Sequence, residues 1–161
     1  MAASLRCTVL EVTATAMDFQ VQIPFVELLG MELMRFDPGA AEIHLDLRQE
    51  LTNSWGVAHG GVTMTLLDVV MAHAARSPRE AGGETQPGVV TIEMKTSFMR
   101  PGLGRLVATA TRLHGTVSLA FCEGYVHDAQ GVLMAHASGT FKYMKGLPVG
   151  GRRVHKLNAS D

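Results

Sequence analysis

The chain has 161 residues, a formal net charge of −1, 47% hydrophobic and 18% charged residues. That length suits one domain with a real core and is short for two, and the composition excludes a disordered chain. The near-neutral balance, with no basic stripe, excludes a nucleic-acid footprint, and two cysteines, Cys7 and Cys122, cannot make a disulfide framework, so a reducing, cytoplasmic setting is predicted.

Residues 1–17 carry both Arg6 and Glu11, lack the charged-then-apolar layout of a signal peptide, and read as a flexible leader. Residues 18–145 read as the folded domain and 146–161 as a polar tail. Pro24 suits a first helical position, so 25–29 is predicted as a short helical turn. An extended segment over 30–36 runs into Asp37-Pro38-Gly39, a turn. Ala41, Ile43, Leu45 and Leu47 then alternate with Glu42, His44, Asp46 and Arg48, the period of a half-buried strand.

The segment 60–76 is apolar on nearly every side of a helix, and such a helix is expected to be enclosed by the rest of the protein. It stops before Ser77-Pro78. Its nearly uncharged part, 60–75, still contains Asp68 and His73 and falls short of the roughly 20 residues a membrane span needs. After a Gly-rich loop over 81–88 come four strand-like segments, 89–99, 103–113, 118–127 and 132–144. Turns at Arg100-Pro101-Gly102, His114-Gly115 and 128–131 join them, with Pro101-Gly102 expected at the centre of a type II turn. The order predicts an α+β fold in which one long helix is wrapped by a curved antiparallel sheet. Ten methionines suit adaptable apolar packing.

Chemistry concentrates between Asn53 and Asp68. A helix start exposes up to four unpaired N–H groups and a partial positive charge, so Gly60 and Gly61 are candidate oxyanion donors, and glycine lets a ligand approach the backbone. Asp68 lies eight residues beyond Gly60, about 12 Å along the axis at ~1.5 Å per residue. A general base must come within about 3 Å of its water, beside the same carbonyl carbon. One helix therefore cannot use both groups on one carbonyl. If both are catalytic, a second, antiparallel copy supplies one of them, which predicts a two-fold dimer with two interfacial sites.

The stretch Asn53-x-x-Gly56-x-x-His59-Gly60-Gly61, with Asp68 nine positions after His59, resembles the phenylacetate-degradation (PaaI-type) branch of the hotdog-fold acyl-CoA thioesterases. The likeness covers roughly 20–145, including Leu29-Gly30-Met31 and 91–101. It implies a hotdog fold and hydrolysis of an aryl- or medium-chain acyl-CoA thioester to free acid and CoA. It also implies no metal and no cofactor beyond the CoA of the substrate, no nucleic-acid or membrane partner, and a homotetramer built from dimers. Carried over, the Gly60 N–H polarises the thioester carbonyl, with Asn53 and His59 shaping that pocket. Asp68 of the facing subunit acts as base for water or as nucleophile, and Thr91 holds the water. Gly61, Phe98, Met99, Arg100, Pro101, His114 and Thr116 fall along the CoA path, with Arg100 as the local phosphate partner. Many relatives carry a basic residue where His114 stands, a departure at that contact. The helix carboxylate is aspartate rather than glutamate, as in the PaaI branch.

Plainer roles stand beside these. Asp68 is also readable as a core carboxylate satisfied by hydroxyls, costly unless paired; His59 as a loop brace; Asn53 as a turn residue; Thr91 as a strand residue. Arg100, Arg105, Arg152 and Arg153 suit a solvated surface, and Cys122, in an apolar strand, an inert core. His59 and His73 would stand about 21 Å apart on one helix, and no close His/Cys/Asp cluster suggests zinc. No Gly-x-Ser-x-Gly elbow occurs, and Gly102-x-Gly104 lacks the strand–helix context of a dinucleotide loop. Two other functions remain open on this fold: a non-catalytic acyl-CoA-binding protein, and an enoyl-CoA hydratase or dehydratase, whose Asn-Pro-x-His loop this chain lacks.

Overall fold

The computed structural model describes residues 15–145; residues 1–14 of the leader expected at 1–17, and the tail at 146–161, lie outside the described residues. Pro24 opens helix α1 (Pro24–Leu29), where its missing N–H costs nothing, and Gly30 closes it in the left-handed region at φ 73°, returning its N–H to the Glu27 carbonyl. Strands β1 (Met31–Asp37) and β2 (Ala40–Asp46) form a hairpin through Pro38-Gly39, with Gly39 at φ 75°. A 3-10 turn (Gln49–Leu51) leads to the long helix α2 (Gly60–Arg76). Strands β3 (Gly88–Phe98), β4 (Arg105–Gly115), β5 (Leu119–Asp128) and β6 (Leu133–Met144) follow. All pairings are antiparallel, in the order β1-β2-β4-β5-β6-β3, so β3 is an edge strand. Met17, at the end of the expected leader, donates its N–H to Leu33 O at 2.7 Å along β1.

Alternation fixes which face of the sheet meets the helix. Ala41, Ile43 and Leu45 of β2, Ala108 and Ala110 of β4, and Ala137 and Phe141 of β6 are buried, while their neighbours in sequence point outward. Small residues line the middle of the sheet, where α2 crosses. A methyl group added at Gly124 would stand 3.0 Å from Met71 Cγ, and one at Gly139 would meet Met71 Cε at 3.4 Å. Leu66, Leu67, Val70, Met71, Ala74 and Ala75 are thereby sunk into the sheet with no exposed surface.

Enclosure of α2 on all sides does not hold for the single chain. A sheet can cover one face of a helix, and the opposite stripe stays open: Gly61 and Met64 are exposed, while Thr65, Asp68 and Ala72 are half-buried. The Pro101-Gly102 turn also differs from the expected type II. That turn needs φ > 0 at its glycine, yet the left-handed residue is Gly104, at φ 63°. Gly102 is instead required for space, because a methyl group there would lie 3.0 Å from Ala58 Cβ. The loop consequently runs to Gly104, and β4 begins two residues later than the pattern suggested. Among the described residues no helix is long and apolar enough to cross a membrane.

His73, on the buried side of α2, is 4% exposed, donates Nδ1–H to Val69 O at 2.7 Å, and is edged by the rings of Phe19 and Phe36. Burial, helped by the charge of Arg76, pushes its pKa down to about 4 from an ordinary 6.5, against the opposing pull of the Val69 bond. Between those values the unfolded chain binds a proton that the folded chain refuses. Stability is therefore unaffected by this residue above pH 6.5 and falls as pH drops from 6.5 towards 4, by up to about 3 kcal/mol in all. We expect urea titrations across this range to show that fall in the wild type and a shallower one in His73→Leu. Parallel curves would show that His73 binds its proton equally in the folded and unfolded chain.

Candidate active site

The segment before α2 is held by its own backbone. Asn53 N–H donates to Val57 O (2.8 Å), Gly56 N–H returns to Asn53 O (3.0 Å), and the Asn53 side-chain oxygen accepts from Trp55 N–H (2.9 Å). Gly56, at φ 72°, supplies the left-handed residue this turn needs. Ala58 N–H donates to Gly102 O (2.9 Å) and His59 N–H to Leu51 O (2.9 Å), so the entry to α2 is pinned from two directions.

His59 caps the helix. Its extended backbone precedes the first turn, and its Nδ1 accepts from Gly61 N–H at 3.0 Å. An accepting Nδ1 leaves the proton of the neutral ring on Nε2. The His59 carbonyl takes the N–H groups of Val62 (2.9 Å) and Thr63 (3.1 Å). Of the first four N–H groups, three are thus engaged, and only that of Gly60 has no acceptor among the described residues. Gly61, expected beside the substrate, spends its N–H on the cap. The Phe98 ring lies 3.7 Å from where a Gly60 Cβ would stand.

A cleft of about 490 Å³ opens at Gly60. It brings together six of the residues singled out from the sequence: Asn53, Gly60, Phe98, Met99, Arg100 and Pro101. Met99 N–H (2.9 Å) and Arg100 N–H (3.1 Å) both donate to Met134 O, and Arg100 Nη1 donates to Leu133 O (2.9 Å), tying the loop after β3 to the start of β6. Trp55, Thr63, Gly102 and Met134 also line the cleft and were not anticipated. Trp55 sits inside the motif itself; the others arrive from a helix turn, a loop and a strand end that no local pattern connects.

Asp68 lies two helical turns from Gly60, half-buried on the open stripe of α2 and outside the cleft. Thr91, exposed on edge strand β3, donates its hydroxyl to Asp68 Oδ1 at 2.7 Å. A hydroxyl and a carboxylate predicted to cooperate are therefore in contact, and both are separated from the Gly60 donor by the rise of the helix. His114 and Thr116 belong to the β4–β5 hairpin. There His114 stacks with Phe121, and Thr116 Oγ1 accepts from Leu119 N–H (2.9 Å) and Ser118 N–H (3.2 Å). Arg79 Nη2, just past the C-terminal end of α2, reaches Thr116 O (3.3 Å). Within one chain the expected CoA path is thus split between opposite ends of α2. Burial pushes the Cys122 thiol up to about 12, leaving it inert as a nucleophile. Among the described residues, no three His, Cys, Asp or Glu side chains converge where a metal ion could bind.

Residues 56–135, from the turn before α2 to the start of β6, match the Thioesterase superfamily. The medium/long-chain acyl-CoA thioesterase YigI of Escherichia coli K12 is 27% identical over 135 residues, 76% of this chain and 87% of that protein. Rv1847 of Mycobacterium tuberculosis H37Rv is 33% identical over 95 residues, 58% of this chain and 67% of that one. The chain belongs to the thioesterase superfamily. It is a hotdog-fold enzyme of the thioester-hydrolase class, with α2 wrapped by the six-stranded sheet. The structure of the PaaI protein from the E. coli phenylacetic acid degradation operon shares this fold at a TM-score of 0.67 and 22% identity, covering 74% of this chain and 83% of that one.

The cap can be tested apart from catalysis. His59→Ala should lower stability by about 0.5–2 kcal/mol, and His59→Asn, whose side-chain oxygen also accepts from a helix N–H, should recover most of it in a urea titration. Equal losses in both would remove the capping role.

Proposed function

We propose that the chain is an acyl-CoA thioesterase whose minimal unit is a dimer, each site using Gly60 of one protomer and the partner's Asp68. The observation that carries the reading is the unspent N–H of Gly60 at one end of α2, with the Thr91-bound carboxylate two turns along the uncovered stripe of the same helix. Two antiparallel copies packed along that stripe set Gly60 against Asp68 when the two-fold axis passes beside Met64, the residue midway between them. Met64 is 40% exposed and suits such a self-contact. The same pairing carries the partner's His114–Thr116 hairpin, at the C-terminal end of its helix, towards the Arg100 end of the first. Both halves of the CoA path then serve one site, and two such dimers form the tetramer.

In this arrangement the thioester carbonyl oxygen accepts from Gly60 N–H, where the helix dipole favours developing negative charge. The Thr91 hydroxyl holds one oxygen of Asp68, and the other takes a proton from water as that water attacks the carbonyl carbon. Collapse of the tetrahedral intermediate breaks the C–S bond, and the thiolate of CoA recovers the proton from Asp68. Acid and free CoA leave, with nothing consumed but water. The acyl group is an aryl or medium-chain one; the apolar cleft and the 27% identity to YigI, named for medium- and long-chain esters, support this. A cytoplasmic location accords with the free thiol of Cys122.

Thiol release from aryl- and alkyl-CoA esters tests the reading. Asp68→Asn should slow turnover by roughly a hundredfold or more while the ester still binds; unchanged turnover removes Asp68 from the chemistry. Gly60→Pro deletes the donor at a first helical position that tolerates proline, after a His59 already extended at ψ 136°. Each variant alone should be nearly inactive, and subunits mixed after separate expression should regain activity through one intact site per heterodimer. No recovery in confirmed heterodimers overturns the shared site. Met64→Cys should crosslink the dimer on oxidation, and its failure to do so places the axis elsewhere.

A further inference from the structure

The cleft has two unlike ends. At its rim Trp55 is 86% and Phe98 53% exposed, and Arg100 is the charged side chain of the lining. Its far end is closed by Leu106, Val126 and Met134, exposed by 1%, 0% and 4%. Nothing at that end presents a charge, and a hydroxyl buried there without a partner would be penalised. A carbonyl held on Gly60 N–H, with its sulfur towards Arg100, sends its acyl group into this closed end.

The backbone around the closed end is fixed, and one side chain there is not. The carbonyls of Met134 and Gly102 are both spent, the first on Met99 and Arg100, the second on Ala58, so neither segment can retreat independently. Gly102 offers no side chain, and a methyl group in its place would sit 3.0 Å from Ala58 Cβ, 3.1 Å from Leu106 Cδ2 and 3.6 Å from Met134 Cε. Glycine at 102 lets Leu106 and Met134 pack back against the loop, and the side chain they leave at the closed end of the cleft is an unbranched, adaptable thioether.

We infer that Met134 and Gly102 together gauge the acyl group, admitting an unsubstituted hydrocarbon tail and setting its length, Met134 as the adaptable stop and Gly102 as the bare backbone that lets it lie back. This rests on the thioesterase reading above and names the residues that choose among its substrates.

The test is kcat/KM over straight-chain esters from butyryl- to palmitoyl-CoA, with a hydroxylated ester beside its plain counterpart. Met134→Ala should move the optimum to longer chains, and Met134→Phe and Gly102→Ala to shorter ones. The ratio of long- to short-chain kcat/KM should change about tenfold or more, the discrimination a methylene-sized change in an apolar pocket provides. Met134→Leu, which conserves volume, should keep the wild-type profile. Met134→Phe fills the closed end directly and Gly102→Ala presses Leu106 and Met134 into it, so either one, if folded by thermal melting, carries the test. Thiol release with an unchanged profile, or one scaled equally at every length, overturns the gauge and leaves the activity standing. Thiol release from none of the esters by the wild type overturns both.

Discussion

An α-helix advances by a fixed rise per residue, and in this chain that rise separates two groups that the proposed reaction brings together. Among the described residues Gly60 offers the one N–H without an acceptor at the start of α2, and Asp68 carries the carboxylate two turns on. Neither can be moved towards the other without breaking the helix, whose inner face is locked against the sheet. The geometry turns a local motif into a condition on assembly, because only a second helix running the opposite way brings such groups together. The open stripe from Gly61 through Met64 and Thr65 to Asp68 is small enough to admit one.

The sheet makes that stripe possible. With alanine and glycine lining the middle of β4, β5 and β6, α2 sinks until Met71 nearly touches backbone at Gly124. Larger residues there would lift the helix and change the height of everything on its outer face, including the approach of Thr91 to Asp68. The 2.7 Å bond between those two side chains joins the helix to an edge strand that has few buried residues of its own. Core packing and the placing of the carboxylate are therefore one problem. It is solved by residues that never touch the substrate.

Much of this was legible in the chain, and the failures have physical causes. The two Pro-Gly pairs make the contrast clear. Pro38-Gly39 joins paired strands and takes the left-handed glycine that its sequence suggests, whereas Gly102 is taken for its lack of a side chain, a demand imposed by Ala58 and Leu106 from elsewhere in the fold. Local chemistry predicts conformation where the neighbours are local. For the same reason Asn53, Gly60 and residues 98–101 could be gathered from the motif and its resemblance, while Leu106, Val126 and Met134 could not. Those three point inward from strands whose register is known only once the sheet is assembled. His59 was legible as a brace for its loop, but not as the cap of α2, because histidine is an unusual cap and the use of Nδ1 depends on a ring orientation that spacing does not reveal.

The cap also explains why the proposed donor is Gly60 and not its neighbour. Had His59 turned away, both glycine N–H groups would stand free, and a carbonyl could settle on either, with two positions relative to the carboxylate. Spending Gly61 on Nδ1 leaves one donor and one position. The clamp of Gly102 O on Ala58 N–H then fixes that position to the loop carrying Arg100, and Met134 O fixes the loop to β6. In the proposed mechanism the reacting carbonyl is thereby oriented by backbone bonds and the His59 cap, a rigid frame that costs no reorganisation during reaction. Adjustment to different acyl groups falls to side chains, chiefly a methionine whose own backbone belongs to that frame. A site built this way can vary its substrate without loosening its chemistry.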